Sequence, residues 1–311
     1  MATVLWMKHS KAIVELTALT GPAPTLDARP VNSHFWWAAP LAIGAAVFGA
    51  DLSQIWISMA AIALIVAGGL PHGAHDLALV QQLVRLSSTR LVAFAFAYLG
   101  TAATMALLWW WSPLAALALF LLSSMLHFAD DWPSLPDPLL RVCAGASVIC
   151  AATIGHPLLV ETIFAAMAGP QSIWLARIAV AAAPVVLLVT AIAIGIAIRD
   201  GQRARPLAMA LALIALIVTP PLIGFALYFT LVHAPWHMLA VRRTLREQRV
   251  SMLVSAPAMT MLTLLLWSMA APLVSPTLTL IGAPSLFMLL SVVALPHLLC
   301  SSWLERVARH A

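Results

Sequence analysis

The sequence predicts an all-α, polytopic integral membrane bundle of about ten transmembrane helices. Of its 311 residues, 63% are hydrophobic and only 9% are charged. A soluble domain normally carries about 25% charged residues, so this chain has too few charges to cover a water-facing surface. The apolar residues also come in runs of about 20, the length that crosses roughly 30 Å of hydrocarbon.

The apolar runs follow one another with short connections. They lie at about 35–50, 54–70, 91–111, 113–128, 139–155, 173–198, 206–219, 221–240, 252–272 and 280–303. Without a break, residues 206–240 would form a helix of about 52 Å, too long for one crossing without steep tilt. Proline interrupts helices, so we divide this stretch at Pro220-Pro221.

The sequence indicates one structural domain. We expect a single transmembrane domain over residues 34–304, an N-terminal cytoplasmic segment at 1–33 and a short tail at 305–311. Residues 71–86 begin with Pro71, which suits a first helical turn, and are predicted to form a short helix at the membrane face.

The basic residues are distributed asymmetrically. Of the sixteen lysines and arginines, all but Arg177 fall on one side of the ten-span arrangement. The positive-inside rule makes that side cytoplasmic, together with both termini, and predicts a multi-pass protein of the cell inner (plasma) membrane. The net charge of +5 is therefore a topology signal, and we expect no nucleic-acid partner.

Six of the ten histidines project to the same leaflet at similar depth. They are His72, His75, His127, His233, His237 and His297. His233 and His237 lie four residues apart, which places both imidazoles on one face of a helix. A single membrane histidine is commonly a helix–helix hydrogen bond, but several at one depth indicate a metal site, since neutral imidazole binds Fe, Zn, Cu and Ni.

Carboxylates accompany these histidines. Asp76 follows His72 by four residues, and Asp130 and Asp131 follow His127 by three and four. Carboxylates commonly accept the free N–H of metal-binding imidazoles, so these three are candidates to orient the rings. Tyr228 and Trp236 are interpreted as packing or interface aromatics.

Four short motifs resemble those of the Brp/Blh family of membrane β-carotene 15,15′-dioxygenases, and the resemblance extends over about 35–303. They are PHGAHD at 71–76, HF at 127–128 with Asp130 after it, HAPWHM at 233–238 and PH at 296–297. The resemblance implies Fe(2+) held by His72, His127, His233 and His237. His75 and His297 then remain candidates for positions beside the ligands or along a substrate tunnel.

The resemblance also implies an activity. The expected reaction is cleavage of the central 15,15′ double bond of β-carotene by dioxygen to two retinal molecules, with a functional link to a retinal-binding rhodopsin. Two residues depart from the family pattern. Trp236 stands where members often carry a basic residue, and His75 stands where an aliphatic residue is commoner.

Other functions remain open from the residues alone. A membrane diiron hydroxylase or desaturase acting on a lipid or carotenoid typically carries HxxHH motifs, but no His-His dipeptide occurs here. A haem-binding or transport protein is a non-enzymatic alternative. Transporters typically place their sites at the membrane midplane, whereas these histidines cluster towards one face.

Overall fold

The computed structural model describes residues 31–310 apart from 134, 136, 246–248 and 275–281. Most of the expected N-terminal segment 1–33 therefore lies outside the described residues. The side chain of His72 does too. The described residues form helices joined by short connections and contain no β-strand.

Thirteen α-helices are named in chain order among the described residues. They are α1 Phe35–Val47, α2 Ile55–Leu64, α3 Asp76–Val84, α4 Ser88–Trp111, α5 Pro113–Ala129, α6 Pro138–Gly155, α7 Pro157–Ala168, α8 Ile173–Arg199, α9 Ala204–Val218, α10 Pro221–Tyr228, α11 Ala234–Thr244, α12 Arg249–Val274 and α13 Ala283–His310. Four of them (α5, α6, α7 and α10) begin at a proline, whose fixed φ and missing N–H suit the first helical position.

Six helical stretches in the described part of the chain are long and apolar enough to cross a membrane. They are Ile55–Val84, Ser88–Trp111, Pro138–Gly155, Pro170–Arg199, Pro221–Leu239 and Ala283–Leu304. Shorter apolar helices, including α1, α5, α7 and α9, lie between them. The prediction of an all-α polytopic membrane bundle is confirmed, as is the helix break at Pro220-Pro221.

The helix that begins at α2 continues beyond the point where the sequence predicts its end. It passes through a π-helical turn, Ile65–Gly69, and a 3-10 segment, Leu70–His75, into α3. A Cβ at Gly69 would lie 2.1 Å from Cε1 of Phe229, which belongs to a second π-helical turn. Gly69 therefore serves close packing of the two π turns, and the predicted span and short helix form one helical run.

Two further elements differ from the sequence expectation. Helix α7 was not predicted, because its 12 residues include Glu161 and are too short for a span. Helix α13 runs to His310, through most of the expected tail.

Close packing of α6 on α5 positions the site. A Cβ at Gly145 in α6 would lie 2.1 Å from the carbonyl oxygen of Met125 and 2.7 Å from the backbone nitrogen of Ala129. Only glycine allows this approach, since real Cβ contacts are never so short. The C-terminal turn of α5, which carries His127, is thereby held against α6.

Candidate metal centre

Three histidines from separate elements meet in the interior. His127 lies in the last turn of α5, His233 ends the second π turn, Phe229–His233, and His237 lies in α11. One ring nitrogen from each lies within 4.8 Å of the others. His233 is fully buried and His127 is 6% exposed. Together they form a group that could hold a metal ion.

The spacing of these nitrogens fits a single ion. Nε2 of His127 and Nε2 of His233 lie 3.0 Å apart. Histidine–metal bonds of about 2.1 Å place two ligand nitrogens about 3.0 Å apart at a right angle and about 3.4 Å apart in a tetrahedron. The ring of His237 completes the group, with its centroid 4.5 Å from that of His233 and 5.3 Å from that of His127.

The π turn sets the direction of His233. Its ring stacks on Phe229, with centroids 5.4 Å apart and planes 13° from parallel. A π turn inserts an extra residue into the helix and often marks a functional site. His237 follows one α-helical turn later, so the two rings share one face as the spacing predicted.

Asp131 is the hydrogen-bonding centre beside these rings. Its Oδ2 lies 2.9 Å from Nδ1 of His233 and accepts a hydrogen bond from the Tyr228 hydroxyl at 2.7 Å. Its Oδ1 lies 3.5 Å from Nη2 of Arg205 and 3.8 Å from Nε2 of His237. Because Nδ1–H of His233 donates to a carboxylate, Nε2 carries the lone pair that a metal ion needs.

The electrostatics of Asp131 favour the carboxylate. Burial by itself raises the pKa of this group, but the nearby His233 ring and the Arg205 guanidinium more than offset that effect and hold the pKa well below its ordinary range. The adjacent Asp130 is in a different environment, since it forms a partly exposed ion pair with Arg141 at 3.5 Å. In the turn after α5, Asp130 therefore points towards Arg141, whereas the next residue, Asp131, points towards the histidines.

A second Tyr–Asp–His set stands close to His127. Nδ1 of His297 lies 2.8 Å from Oδ2 of Asp76, and the Tyr98 hydroxyl donates to the same oxygen at 2.9 Å. The ring centroid of His297 is 5.3 Å from that of His127 and 6.2 Å from that of His237. Asp76 therefore orients His297 as Asp131 orients His233.

The remaining predicted histidines lie in the 3-10 segment. The backbone of His72 is described, and a Cβ on the adjacent Gly73 would lie 3.5 Å from Nδ1 of His297. This turn therefore packs against the second set. His75 is buried, at 1% exposure, and ends the segment. It is not in the three-histidine group found among the described residues.

Three residues of the site were missed or misread from the sequence. Tyr98 was not singled out, Tyr228 was interpreted as a packing residue, and Arg205 was counted only as a topology charge. One signal was available: the chain has just two tyrosines, and each donates to one of the two carboxylates that hold histidines. The guanidinium of Arg205 also lies 4.4 Å from the centroid of the Trp236 ring, so a cation stands beside this tryptophan.

A cavity of about 540 Å³ adjoins the centre. His127 and His297 lie in its wall, and most of the remaining lining is apolar. The aromatic part of that lining consists of Tyr98, Phe120, Phe128, Phe164, Phe225, Phe229, Trp267 and Phe287. A cavity with this lining could hold an apolar molecule against His127 and His297.

Comparison with known proteins decides the family. A sequence model described as beta-carotene 15,15′-dioxygenase matches residues 63–305. The chain belongs to this family. The matched region contains both Tyr–Asp–His sets and all three clustered histidines, and membership in a dioxygenase family makes the protein an oxidoreductase.

Curated relatives agree with the family assignment. A β-carotene 15,15′-dioxygenase from uncultured marine bacterium 66A03 is 30% identical over 206 residues, covering 61% of this chain and 72% of the relative. A probable β-carotene 15,15′-dioxygenase Blh from Halobacterium salinarum is 26% identical over an alignment of 344 positions, gaps included. The alignment covers 94% of this chain and 97% of the relative. No solved structure matches the chain at comparable significance.

The two tyrosines provide a matched pair of variants. Tyr228→Phe removes a hydrogen bond to Asp131, which orients His233, and we expect the affinity of the three-histidine group for a metal ion to fall about tenfold. Tyr98→Phe removes the equivalent bond to Asp76, which lies beyond the three-histidine group, and should leave that affinity within about twofold of wild type. Anaerobic competition with a chromophoric chelator measures both. Equal losses in the two variants would contradict this division of roles.

Proposed function

We propose that this protein cleaves the central 15,15′ double bond of β-carotene with dioxygen and releases two molecules of retinal. One observation supports this most strongly: His127 belongs both to the three-histidine group and to the wall of the apolar cavity. A hydrocarbon held in that cavity therefore lies directly beside the candidate metal position. The family and the names of the curated relatives point to the same substrate.

The proposed metal is Fe(2+), held by His72, His127, His233 and His237. Three of these side chains are grouped in the structure, and the fourth belongs to the 3-10 segment that packs against His297. When bound, the iron would supply the redox chemistry that lets dioxygen react with the polyene. An all-imidazole ligand set with no cysteine suits a metal of intermediate softness.

The protein's own side chains have three tasks in this proposal. Asp131, with Tyr228 and Arg205, fixes the tautomer and direction of His233. The cavity wall holds the polyene by van der Waals contact and excludes water, since a hydrocarbon offers nothing to hydrogen-bond. His297, backed by Asp76 and Tyr98, presents a polar ring to the cavity next to His127, where the aldehydes would form.

The reaction balances without a further reductant. The central carbon–carbon double bond breaks, and each of its two carbons receives one oxygen atom of the same dioxygen molecule. The products are then two identical aldehydes, which together contain every atom of β-carotene and dioxygen. The proposed reaction therefore needs no co-substrate besides dioxygen.

The proposed location follows from the same chemistry. β-Carotene dissolves in the bilayer, so a site inside a membrane bundle receives it without transfer through water. We place the protein in the cell inner (plasma) membrane with both termini in the cytoplasm, as the distribution of basic residues predicts. Retinal forms Schiff bases with lysine, so a retinal-binding rhodopsin is the proposed recipient of the product.

Expression in a bacterial host that accumulates β-carotene tests the function. The orange colour should bleach, and extracts should contain retinal. Under ¹⁸O₂, the freshly formed aldehyde should carry the label when it is trapped before exchange with water. A host that stays orange while the purified protein is iron-loaded would contradict the substrate assignment.

A further inference from the structure

The cavity beside the histidines opens on one side. Among its described lining residues, those more than two fifths exposed all come from α3, α4 and α12. They are Leu77, Leu99, Met259, Leu262 and Leu266, with exposures from 41% to 59%. Since each of these side chains both lines the cavity and is exposed, the wall formed by α3, α4 and α12 is where the cavity comes closest to the outer surface.

The far end of the cavity is closed. Val148 and Thr153 of α6, Leu216 of α9 and Pro221 of α10 line it and are all buried. Helix α5, which carries His127, packs against α4 on one side and α6 on the other. Helix α5 therefore stands between a helix with exposed lining residues, α4, and a helix with buried ones, α6.

The surface around the opening faces lipid. On α4, Phe96 and Leu107 are 71% and 63% exposed, and on α12, Met261 and Met269 are 66% and 67% exposed. Large apolar side chains exposed on the apolar helices of a membrane bundle contact the hydrocarbon of the bilayer, because water would make such a surface costly. The opening therefore leads into the membrane rather than into water.

We propose that the polyene passes sideways from the bilayer into the cavity between α4 and α12, which contact each other in the closed bundle and part around Leu266. This inference rests on the proposed function and specifies the path by which the substrate enters the cavity. One half of the polyene must pass His127 into the closed end before the central double bond reaches the histidines. The depth of the closed end then determines which bond lies beside them.

Two neighbouring leucines on α12 provide a matched test. Leu266 is 52% exposed and lines the cavity, whereas Leu265 is 58% exposed and is not part of the lining. In vesicles that contain β-carotene, Leu266→Trp should lower kcat/KM at least tenfold with unchanged iron content. Leu265→Trp should stay within about twofold of wild type, and Leu266→Ala should keep or raise the rate. Equal effects of the two tryptophans, or a loss in Leu266→Ala as large as in Leu266→Trp, would overturn the proposal.

A second measurement does not depend on the substrate. Palmitic acid with a terminal diazirine is incorporated into the vesicles, irradiated with the metal-free protein, and its adducts are located by mass spectrometry. Wild type and Leu265→Trp should carry adducts on buried lining residues of the closed end such as Val148 and Leu216, and Leu266→Trp should lose at least nine tenths of them. Retained inner adducts in Leu266→Trp would refute the route even if β-carotene is cleaved. Loss of these adducts with no cleavage of β-carotene by wild type would support the route and refute the substrate.

Discussion

A variant with alanine in place of His233 is expected to lose its metal and its activity together. Purified anaerobically, it should contain less than a tenth of the iron of wild type and form no detectable retinal. His233 contributes the nitrogen nearest to that of His127 and is the ring that Asp131 fixes. Removing a partner of a ligand already costs metal sites about 10- to 100-fold in affinity, so removing the ligand should exceed that loss.

An exposed histidine serves as the control. His34 precedes α1 at the surface, where its ring packs edge-on against Trp37. His34→Ala should keep full iron content and full activity. If His233→Ala retained its iron, this histidine would not be a ligand, and the proposed centre would have to be built on other residues.

The largest structural effect is expected at Asp131. Asp131→Ala leaves the Arg205 guanidinium, whose side chain is only 13% exposed, without its anion and removes the acceptor for both His233 and Tyr228. Breaking a buried pair by removing one partner costs about 3–5 kcal/mol of folding stability. We therefore expect a marked fall in the thermal transition temperature of the metal-free protein and, in the folded fraction, at least a tenfold loss of iron affinity.

Its neighbour in sequence is the control. Asp130 pairs with Arg141 at the surface, where both side chains are about one third exposed, 30% and 35%. Exposed pairs contribute about 0–1 kcal/mol, so Asp130→Ala should change stability little. Asp131→Asn keeps an acceptor for Tyr228 and should restore part of the stability without the charge. Equal destabilisation by Asp130→Ala and Asp131→Ala would contradict the central place of Asp131.

The sequence predicted the membrane bundle and the meeting of distant histidines for simple physical reasons. Few charges and long apolar runs require a bilayer, and the spacing of His233 and His237 fixes one shared helix face. Hydropathy also placed His127 at a similar depth. The grouping of these three side chains is observed, whereas metal binding and the part of His72 and His75 remain predictions.

The details that depend on packing could not be predicted. The sequence does not reveal which of Asp130 and Asp131 turns inward, because that depends on the geometry of one turn after α5. It does not reveal that Arg205 crosses to Asp131 from the start of α9. The sequence does not reveal the two π turns either, nor that Gly69 of one packs closely against Phe229 of the other.

The most direct test of the central claim is X-ray absorption spectroscopy of the purified, iron-loaded protein. We predict one iron per chain, surrounded by a shell of imidazole nitrogens at about 2.1 Å, with that shell diminished in His233→Ala. A scattering vector to a second metal at about 3.5–4 Å would identify a dinuclear centre and favour the hydroxylase alternative. That vector, or a shell without imidazole, would contradict a mononuclear centre built on His127, His233 and His237.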